Sequence, residues 1–278
     1  MNIKFRKILA ALAVATSTSN ALADASADDM NKSNNPLTPM VALNLHDYIT
    51  SSIFGTDETS NSFNLRGALP HLLGGLPQIA RMTIPYQTVP GPDGDQVSGL
   101  GDINLFDIFL VKGIESVEFG VGPYFVFPTA SEDETGAGKW QVGASAMMMS
   151  PHPWGLIGGL LTYQHDVAGD EDRPTQNIAT LQPFVIYNLP SAVYLRSTGI
   201  WFFNWETGDY YIPIGLGIGK VWKLETGTTM NLFAEPQWTV AHEGVGRSEF
   251  SDLCGFELPV SHHQTLKNER GSLGMKIL

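Results

Sequence analysis

The sequence predicts an all-β fold, specifically an antiparallel up-and-down transmembrane β-barrel of about 12 strands. The first observation is composition: the 278 residues include 29 Gly, 17 Pro and 14 Phe, a mixture that favours strands and turns over helices. The second is a period-two alternation of apolar and polar residues along much of the chain. The third is the length of the alternating segments, about ten residues, which matches a tilted transmembrane strand better than the shorter strands of soluble sheets.

The N-terminal segment has the pattern of an export signal. Basic residues at positions 4, 6 and 7 precede an apolar run at 8–15, and Ala21-Leu22-Ala23 provides an A-x-A cleavage site. An N-terminal membrane anchor is the alternative, but the apolar run is far shorter than the ~20 residues of a spanning helix. We therefore expect a signal peptide over 1–23, a periplasmic N-terminal segment over 24–39 and an outer-membrane β-barrel over 40–278.

The strand over 228–240 shows the two-faced pattern most clearly. Met230 and Trp238 lie on one predicted face, whereas Asn231 and Glu235 lie on the other. The same split recurs at 117–127, 193–207 and 211–221. Because a soluble sandwich also alternates, the prediction depends on strand length and on the aromatic residues near segment ends, which are typical of the interfacial girdles of outer-membrane barrels.

Twelve candidate strands follow one another along the chain, and an even number keeps both termini on the periplasmic side. Their predicted starts are near Met40, Ser62, Gln78, Gly99, Val117, Trp140, Leu156, Asn177, Val193, Tyr211, Thr228 and Leu266. The last connection, over 241–265, is accordingly predicted to be a long outer loop.

Acidic residues divide unequally between the two sets of connections. The connections assigned to the outer surface contain seventeen acidic residues, whereas the shorter periplasmic turns contain only Glu115 and Glu225. The outer set is Asp57, Glu58, Asp93, Asp95, Glu132, Asp133, Glu134, Asp166, Asp170, Glu171, Asp172, Glu206, Asp209, Glu243, Glu249, Asp252 and Glu257. Short periplasmic turns and longer outer loops are the asymmetry expected of a bacterial outer-membrane barrel.

Charge, cysteine content and missing motifs exclude several classes of function. The formal net charge of −12 argues against a nucleic-acid partner, because phosphate binding requires clustered Lys and Arg. A single cysteine, Cys254, excludes an intramolecular disulfide and a Cys-rich zinc site. The sequence lacks G-x-S-x-G, and the run over 136–139 lacks the spacing of a phosphate loop, so we predict neither an enzyme nor a cofactor.

Two clusters carry side chains of the types that bind metal ions. The first consists of His242, Glu243, His262 and His263. Because it lacks the H-x-x-x-H spacing of a helical zinc site, solvated loop histidines are the favoured interpretation. The second consists of Asp166, Asp170, Glu171 and Asp172. It lacks the spacing of a calcium loop, so a solvated acidic loop is favoured over weak cation binding.

The predicted inner face holds the candidate selectivity residues Arg196, Glu206 and Glu235. They either set the selectivity of a pore or form a salt-bridged, partly plugged interior, and the sequence leaves both interpretations open. The methionine run over 147–149, together with strands that are apolar on both faces, indicates a partly apolar lumen. Such a lumen would suit apolar or aromatic molecules, or its side chains would simply fill a narrow barrel.

A series of short motifs covers roughly positions 35 to 240. They are Asn35-Pro36-Leu37, Gly99-Leu100-Gly101-Asp102, 120–130, 138–143, 169–173, 181–188, 204–206 and 213–220. In this order they resemble the bacterial outer-membrane proteins labelled "putative meta-pathway phenol degradation" or "transporter". The resemblance implies an outer-membrane β-barrel with a transport role and without established catalytic residues. The C-terminal end departs from the family pattern, because the long stretch over 241–265 precedes a chain end at Leu278 instead of an aromatic terminal strand.

The combined prediction is a passive outer-membrane channel or transporter of a Gram-negative bacterium for small solutes, with hydrophobic or aromatic solutes as one option. Polar lumen residues would set its selectivity, and acidic outer loops would gate or filter the entrance. The alternative is a closed structural or interaction barrel that acts through those loops, and a barrel-embedded enzyme is the least favoured. The expected partners are outer-membrane lipid and lipopolysaccharide and a small-molecule solute, while the oligomeric state stays open.

Overall fold

The computed structural model describes residues 22–114, 116–225 and 227–260. Nearly all of the predicted signal peptide, and the strand predicted to begin near Leu266, lie outside these residues. The described elements are β1 (Leu22–Asp24), α1 (Ala27–Asn34), β2 (Val41–Ile53), β3 (Ser60–Leu73), β4 (Leu76–Pro90), β5 (Gln96–Leu100), β6 (Ile103–Ile114), β7 (Val117–Phe127), a 3₁₀ helix (Asp133–Thr135), β8 (Lys139–His152), β9 (Gly155–Gly169), β10 (Asn177–Asn188), β11 (Val193–Ser197), β12 (Trp201–Asn204), β13 (Tyr210–Gly215), β14 (Gly217–Leu224), β15 (Thr229–Glu243) and β16 (Ser248–Val260). Neither helix in this part of the chain has the length and apolar character needed to cross a bilayer.

The strands form one closed, antiparallel barrel with twelve strands in its wall. Neighbouring wall strands pair in chain order, and β16 pairs with β2, with Glu257 opposite Asn44, so the sheet closes on itself. Three wall strands are divided into two pieces: β5 with β6, β11 with β12, and β13 with β14. The predicted all-β, up-and-down barrel is thus confirmed.

The twelfth wall strand is β16, and the prediction for this region was wrong. The predicted outer loop over 241–265 contains the end of β15 and all of β16. The alternation of β16 is inverted in its middle, because Leu253 is fully buried on the inner face whereas the polar Asp252 and Cys254 lie on the opposite face and are half-buried. Phe250, Phe256 and Leu258 lie on the outer face on either side of this point, but the local reversal interrupts the alternation that identifies a strand.

Elsewhere, the alternation places apolar side chains outside and mostly polar side chains in the lumen. In β15, Asn231 and Glu235 are fully buried and face the interior, whereas Trp238 is half exposed on the outer surface. Large apolar side chains exposed on the outside include Leu65, Met82, Val121, Leu161, Val185 and Ile218. The two-faced pattern is therefore the arrangement of the wall.

Glycines on the inner face of β13 and β14 make room for large lumen side chains. A Cβ atom on Gly219 would collide with the ring of Tyr194, and one on Gly215 or Gly217 would collide with Glu235. These side chains come from neighbouring strands and are fully buried. The Ile-Gly alternation of the sequence here thus combines an apolar outer face with inner space for buried polar groups.

The two ends of the barrel carry different connections. The loop end has the connections over 54–59, 91–95, 128–138, 170–176, 205–209 and 244–247. The turn end has shorter connections, which join the alternate pairs of consecutive wall strands, such as β3 and β4. Most of the acids predicted for outer loops lie at the loop end. Five lie in strands instead: Asp166, Glu243, Glu249, Asp252 and Glu257.

The segment before the first wall strand folds back into the turn end of the barrel. Helix α1 starts with a capping box, in which Ser26 and Asp29 satisfy each other's backbone N–H groups. Met30 and Leu37 are almost fully buried in a cluster with wall residues that include Ile108 and Met149. We call α1 together with residues 35–40 the plug.

Polar contacts also fix the plug to the wall. Asn31 Nδ2 donates a hydrogen bond of 2.8 Å to the backbone carbonyl of His152, and Asn35 Nδ2 donates one of 2.7 Å to Glu118 Oε2. At the rim, Lys223 Nζ lies 2.9 Å from Asp29 Oδ2. The plug therefore occupies a definite position against the wall.

Candidate functional site

Three neighbouring cavities run through the lumen from the loop end to the plug. The loop-end cavity has a volume of about 360 Å³, the central cavity about 200 Å³ and the plug-end cavity about 90 Å³. Arg66 lines all three, Asn64 joins the first two, and Arg81 and Gln182 join the last two. The cavities are thus connected by shared lining residues, and their volumes decrease towards the plug.

The loop-end cavity is polar. Tyr48, Ser62 and Gln237 line it, as does Arg247 from the β15–β16 connection. The guanidinium of Arg247 lies 3.8 Å from the ring centroid of Phe202, a stacking contact that fixes the cation at the entrance.

The central cavity combines hydrogen-bonding groups with an apolar side. Thr162 and Thr180 face each other with their hydroxyl oxygens 2.7 Å apart. Phe106, Tyr124 and Leu160 provide the apolar side. A pocket of this kind can bind a polar group and an apolar body of the same small molecule.

The plug-end cavity lies between the plug and the wall, and strands from more than one side of the barrel line it. Helix α1 packs towards β9, β10, β14 and β15. Across the lumen, the cavity is lined by Ala42 of β2, Ala68 of β3 and Arg81 of β4, and on the plug side by Lys32 and Asn35. The plug-end cavity therefore lies beside the plug, next to the small side chains of Ala42 and Ala68.

Arg66 belongs to a hydrogen-bonded chain that ends at a buried carboxylate. Its Nη1 lies 2.8 Å from His46 Nδ1, and His46 Nε2 lies 2.8 Å from Glu257 Oε1. Arginine has no acceptor, so His46 Nδ1 must accept and Nε2 must carry the proton. His46 is therefore a neutral imidazole that donates to Glu257.

Arg66 and Arg81 lack a direct carboxylate partner within the described part of the chain. Arg81 lies 5.8 Å from the ring centroid of Phe106. Glu257 is the single described carboxylate that lines any of the three cavities, and it also accepts from Asn231 Nδ2 at 3.1 Å. Positive charge therefore exceeds negative charge along the pathway.

Arg196 and Glu235, two of the predicted lumen residues, form a closed ion pair. Arg196 Nε donates to Glu235 Oε2 at 2.7 Å, and their side chains are 8% and 0% exposed. Glu235 also accepts from the backbone N–H and the hydroxyl of Thr198, each at 2.7 Å, and from Gln237 Nε2 at 3.1 Å. This closed pair has the character of a salt-bridged interior, one of the two interpretations that the sequence leaves open for these residues.

Glu206, the third predicted lumen residue, lies elsewhere. It is exposed in the turn after β12, where its backbone N–H is capped by Asn204 Oδ1 at 2.9 Å. The structure therefore does not bring Glu206 to the Arg196–Glu235 pair. The prediction failed locally because β12 ends at Asn204 while the alternation continues for two more residues.

Two of the four candidate cation-binding residues, Asp166 and Asp170, accept hydrogen bonds from the backbone of the connection over 170–176. Asp166 Oδ1 accepts from the backbone N–H of Gln176 at 2.7 Å, and Asp170 Oδ1 accepts from that of Asp172 at 3.0 Å. No group of three metal-ligand side chains occurs among the described residues. In the histidine cluster, His242 stacks on Phe54, while His262 and His263 lie outside the described residues.

Sequence reasoning did not single out Asp102 as a functional residue. Its carboxylate accepts three backbone N–H groups of the long connection over 128–138, those of Thr129, Ala130 and Ala137. Thr135 Oγ1 donates to the Leu100 carbonyl at 2.7 Å, which holds the same connection against β5. Asp102 belongs to the motif Gly99-Leu100-Gly101-Asp102, which supports the family resemblance. The motif indicated that the position matters, but it did not reveal that Asp102 anchors the backbone of a loop.

Neither the scan against protein-family models nor the search of curated proteins finds a match for the chain. The predicted relation to the phenol-degradation family therefore stays a hypothesis. Among solved structures, the chain is similar to the COG4313 outer membrane channel from Pseudomonas putida F1, with a TM-score of 0.60, 13% identity and coverage of 80% of this chain and 98% of that one. It is also similar to the NanC porin, with a TM-score of 0.52, 9% identity and coverage of 80% and 99%. The chain thus shares its closed barrel fold with an outer membrane channel and a porin.

Proposed function

We propose that the protein is a passive channel for small solutes in the outer membrane of a Gram-negative bacterium. The observation that carries the proposal is the series of three neighbouring cavities with shared lining residues, from the loop end past the side of the plug. A purely structural barrel would have no need of a series of polar cavities that reaches its plug.

Membrane insertion is supported by the outer surface of the wall. Aromatic side chains are exposed near the loop end and near the turn end, as in interfacial girdles, with exposed aliphatic side chains between them. The loop-end aromatics include Tyr86, Trp140, Tyr163 and Trp238, and the turn-end aromatics include Trp154 and Tyr187. We place the loop end at the cell surface, where acidic loops meet lipopolysaccharide, and the turn end in the periplasm.

The pathway sets the size and character of the solute. The plug-end cavity of about 90 Å³ restricts passage to small molecules. Phe106, Tyr124 and Leu160 make the central cavity compatible with solutes that carry an aromatic or aliphatic part. Non-enzymatic passage agrees with the fold shared with a channel and a porin.

The plug supports a second candidate function, a closed barrel that acts through its loops. Met30 and Leu37 seal much of the turn end. The two functions make opposite predictions for solute flux, because a closed barrel would be impermeable however well it folds.

A substitution that fills the passage tests the channel. Ala68→Trp adds a large inward side chain to the plug-end cavity, whereas Leu69→Trp adds the same side chain on the outer face, where Leu69 is 55% exposed. In liposomes that contain folded protein, Ala68→Trp should abolish uptake of small solutes and Leu69→Trp should leave it unchanged. Equal uptake by both variants, or none by the unmodified protein, would contradict the proposal.

A further inference from the structure

We propose that Arg66 and Arg81 form a binding site for the carboxylate of a small organic acid, whose apolar body occupies the central cavity. This inference rests on the proposed channel function and names the class of solute for that same pathway. It adds a preference for anions that the acidic loops of the sequence do not suggest.

The strand register brings the two arginines together. Arg66 of β3 lies opposite Thr83 of β4, and Ala68 lies opposite Arg81, so the two arginines occupy diagonal positions on the inner face of adjacent strands. Diagonal neighbours of a sheet are about 7–8 Å apart at the backbone, within reach of long side chains. Both line the central and the plug-end cavities, so two guanidinium groups border the same space.

Neither guanidinium forms an ion pair with a described carboxylate, and Glu257, the one described carboxylate that lines either of these cavities, supplies one negative charge against two positive charges. Arg66 donates to a neutral imidazole, that of His46, and the carboxylate of Glu257 is occupied by His46 and Asn231. Arg81 makes its described side-chain contact with the face of Phe106. Two guanidinium groups that border a confined space repel each other, and an anion between them removes that repulsion.

Carboxylate is the anion that this geometry fits best. Guanidinium groups present planar pairs of N–H donors that match the two oxygens of a carboxylate. The apolar side of the same cavity, formed by Phe106, Tyr124 and Leu160, can accept the body of the molecule. A strongly hydrated inorganic anion would leave this apolar side unused.

The Arg196–Glu235 pair shows the contrast within the same barrel. There, one guanidinium meets one carboxylate at 2.7 Å and both side chains are buried, although Arg196 also lines the plug-end cavity. At Arg66 and Arg81 no described protein carboxylate takes that place. The lumen thus contains one arginine already paired with an acid and two that are available to an incoming one.

Benzoate and its neutral counterpart benzamide are the probes that test the site. We expect folded protein in liposomes to admit benzoate faster than benzamide at low salt. Arg66→Met and Arg81→Met should each reduce that ratio about tenfold, the loss expected for one strong charge-assisted contact. Lys220→Met, which removes a charge paired with Asp24 outside the three cavities, is the matched control and should leave the ratio unchanged.

Calorimetric titration of benzoate into the folded, detergent-solubilised protein separates this inference from the channel itself. Binding that is lost in both arginine variants, without any flux, would support the carboxylate site and overturn the channel. Flux that is equal for both probes, without benzoate binding, would overturn the carboxylate site and support the channel. Heat-modifiable migration in electrophoresis establishes for each variant that the barrel has folded.

Discussion

Removal of Glu235 should destabilise the barrel strongly while removal of both members of its ion pair should not. Glu235→Leu leaves the guanidinium of Arg196, 8% exposed, without its carboxylate. An unpaired buried charge of this kind lowers the free energy of unfolding by about 3–5 kcal/mol. Loss of the acceptor for the Thr198 backbone N–H adds about 1–3 kcal/mol.

The double variant Arg196→Met/Glu235→Leu removes the uncompensated charge but not the orphaned N–H of Thr198. It should therefore recover most of the stability and remain about 1–3 kcal/mol below the unmodified protein. Urea unfolding in lipid vesicles, followed by tryptophan fluorescence and heat-modifiable migration, measures all four members of this double-mutant cycle.

The result that would refute this reasoning is a Glu235→Leu barrel with unchanged urea stability and an altered ion selectivity. Glu235 would then act on permeating ions, as in the selectivity-filter interpretation of the sequence, and not as the buried partner of Arg196. A double variant as unstable as the single one would likewise refute the charge argument.

Three other predictions concern the wall, the long loop and the plug. Gly219→Ala should lower the free energy of unfolding by about 1–3 kcal/mol, because the added methyl group would collide with the buried ring of Tyr194. The control Gly67→Ala, whose methyl group would contact nothing, should change the free energy of unfolding by no more than ~0.5 kcal/mol. Equal urea midpoints for the two variants would contradict this prediction. Asp102→Ala should free the connection over 128–138 and accelerate its cleavage by protease on intact vesicles, and an unchanged cleavage rate would show that the three backbone contacts are dispensable. Burial raises the pKa of Asp29, but hydrogen bonds from Lys223 and Ser26 lower it more, so the net pKa lies below the ordinary value. Asp29 therefore stabilises the anchored plug above its ordinary pKa of about 4, and this stabilisation is lost as the pH falls through the lowered pKa. Amide hydrogen exchange of α1 measures the loss as faster exchange at low pH. Protection of α1 that does not change with pH in this range, after correction for the intrinsic exchange rate, would contradict the prediction.

The wall of the barrel was predictable from the sequence because each strand has one outer, apolar face and one face towards the lumen. Apolar and polar residues therefore alternate along the strand. The clearest case is β15, in which the predicted faces of Asn231, Glu235 and Trp238 are the observed ones. The pattern failed in β16, where Asp252 lies on the outer face and Leu253 on the inner face. A reversal in the middle of a strand interrupts the alternation, so periodicity alone did not distinguish this strand from a loop.

The lumen site was less predictable because it depends on contacts between distant strands. Arg66 and Arg81 alternate with apolar neighbours, so the sequence pattern can assign both to the inner face. That they lack an ion-pair partner among the described residues can be determined only once the strand register is known. Glu257, assigned from sequence to a loop, lies in the lumen beside His46. The plug could not be predicted from the sequence either. Its helix α1 is short and polar, and contacts with the wall stabilise it more than its own helix propensity does.

Single-channel recording of the folded, mature chain in a planar lipid bilayer tests the central claim most directly. The account predicts small, discrete conductance steps that Ala68→Trp abolishes and Leu69→Trp preserves, because the proposed route runs through the cavity that Ala68 lines and Leu69 does not. In a salt gradient, the reversal potential should show a preference for anions that weakens in Arg66→Met and Arg81→Met. Silence from protein that is shown to be folded and inserted would contradict the existence of the passage.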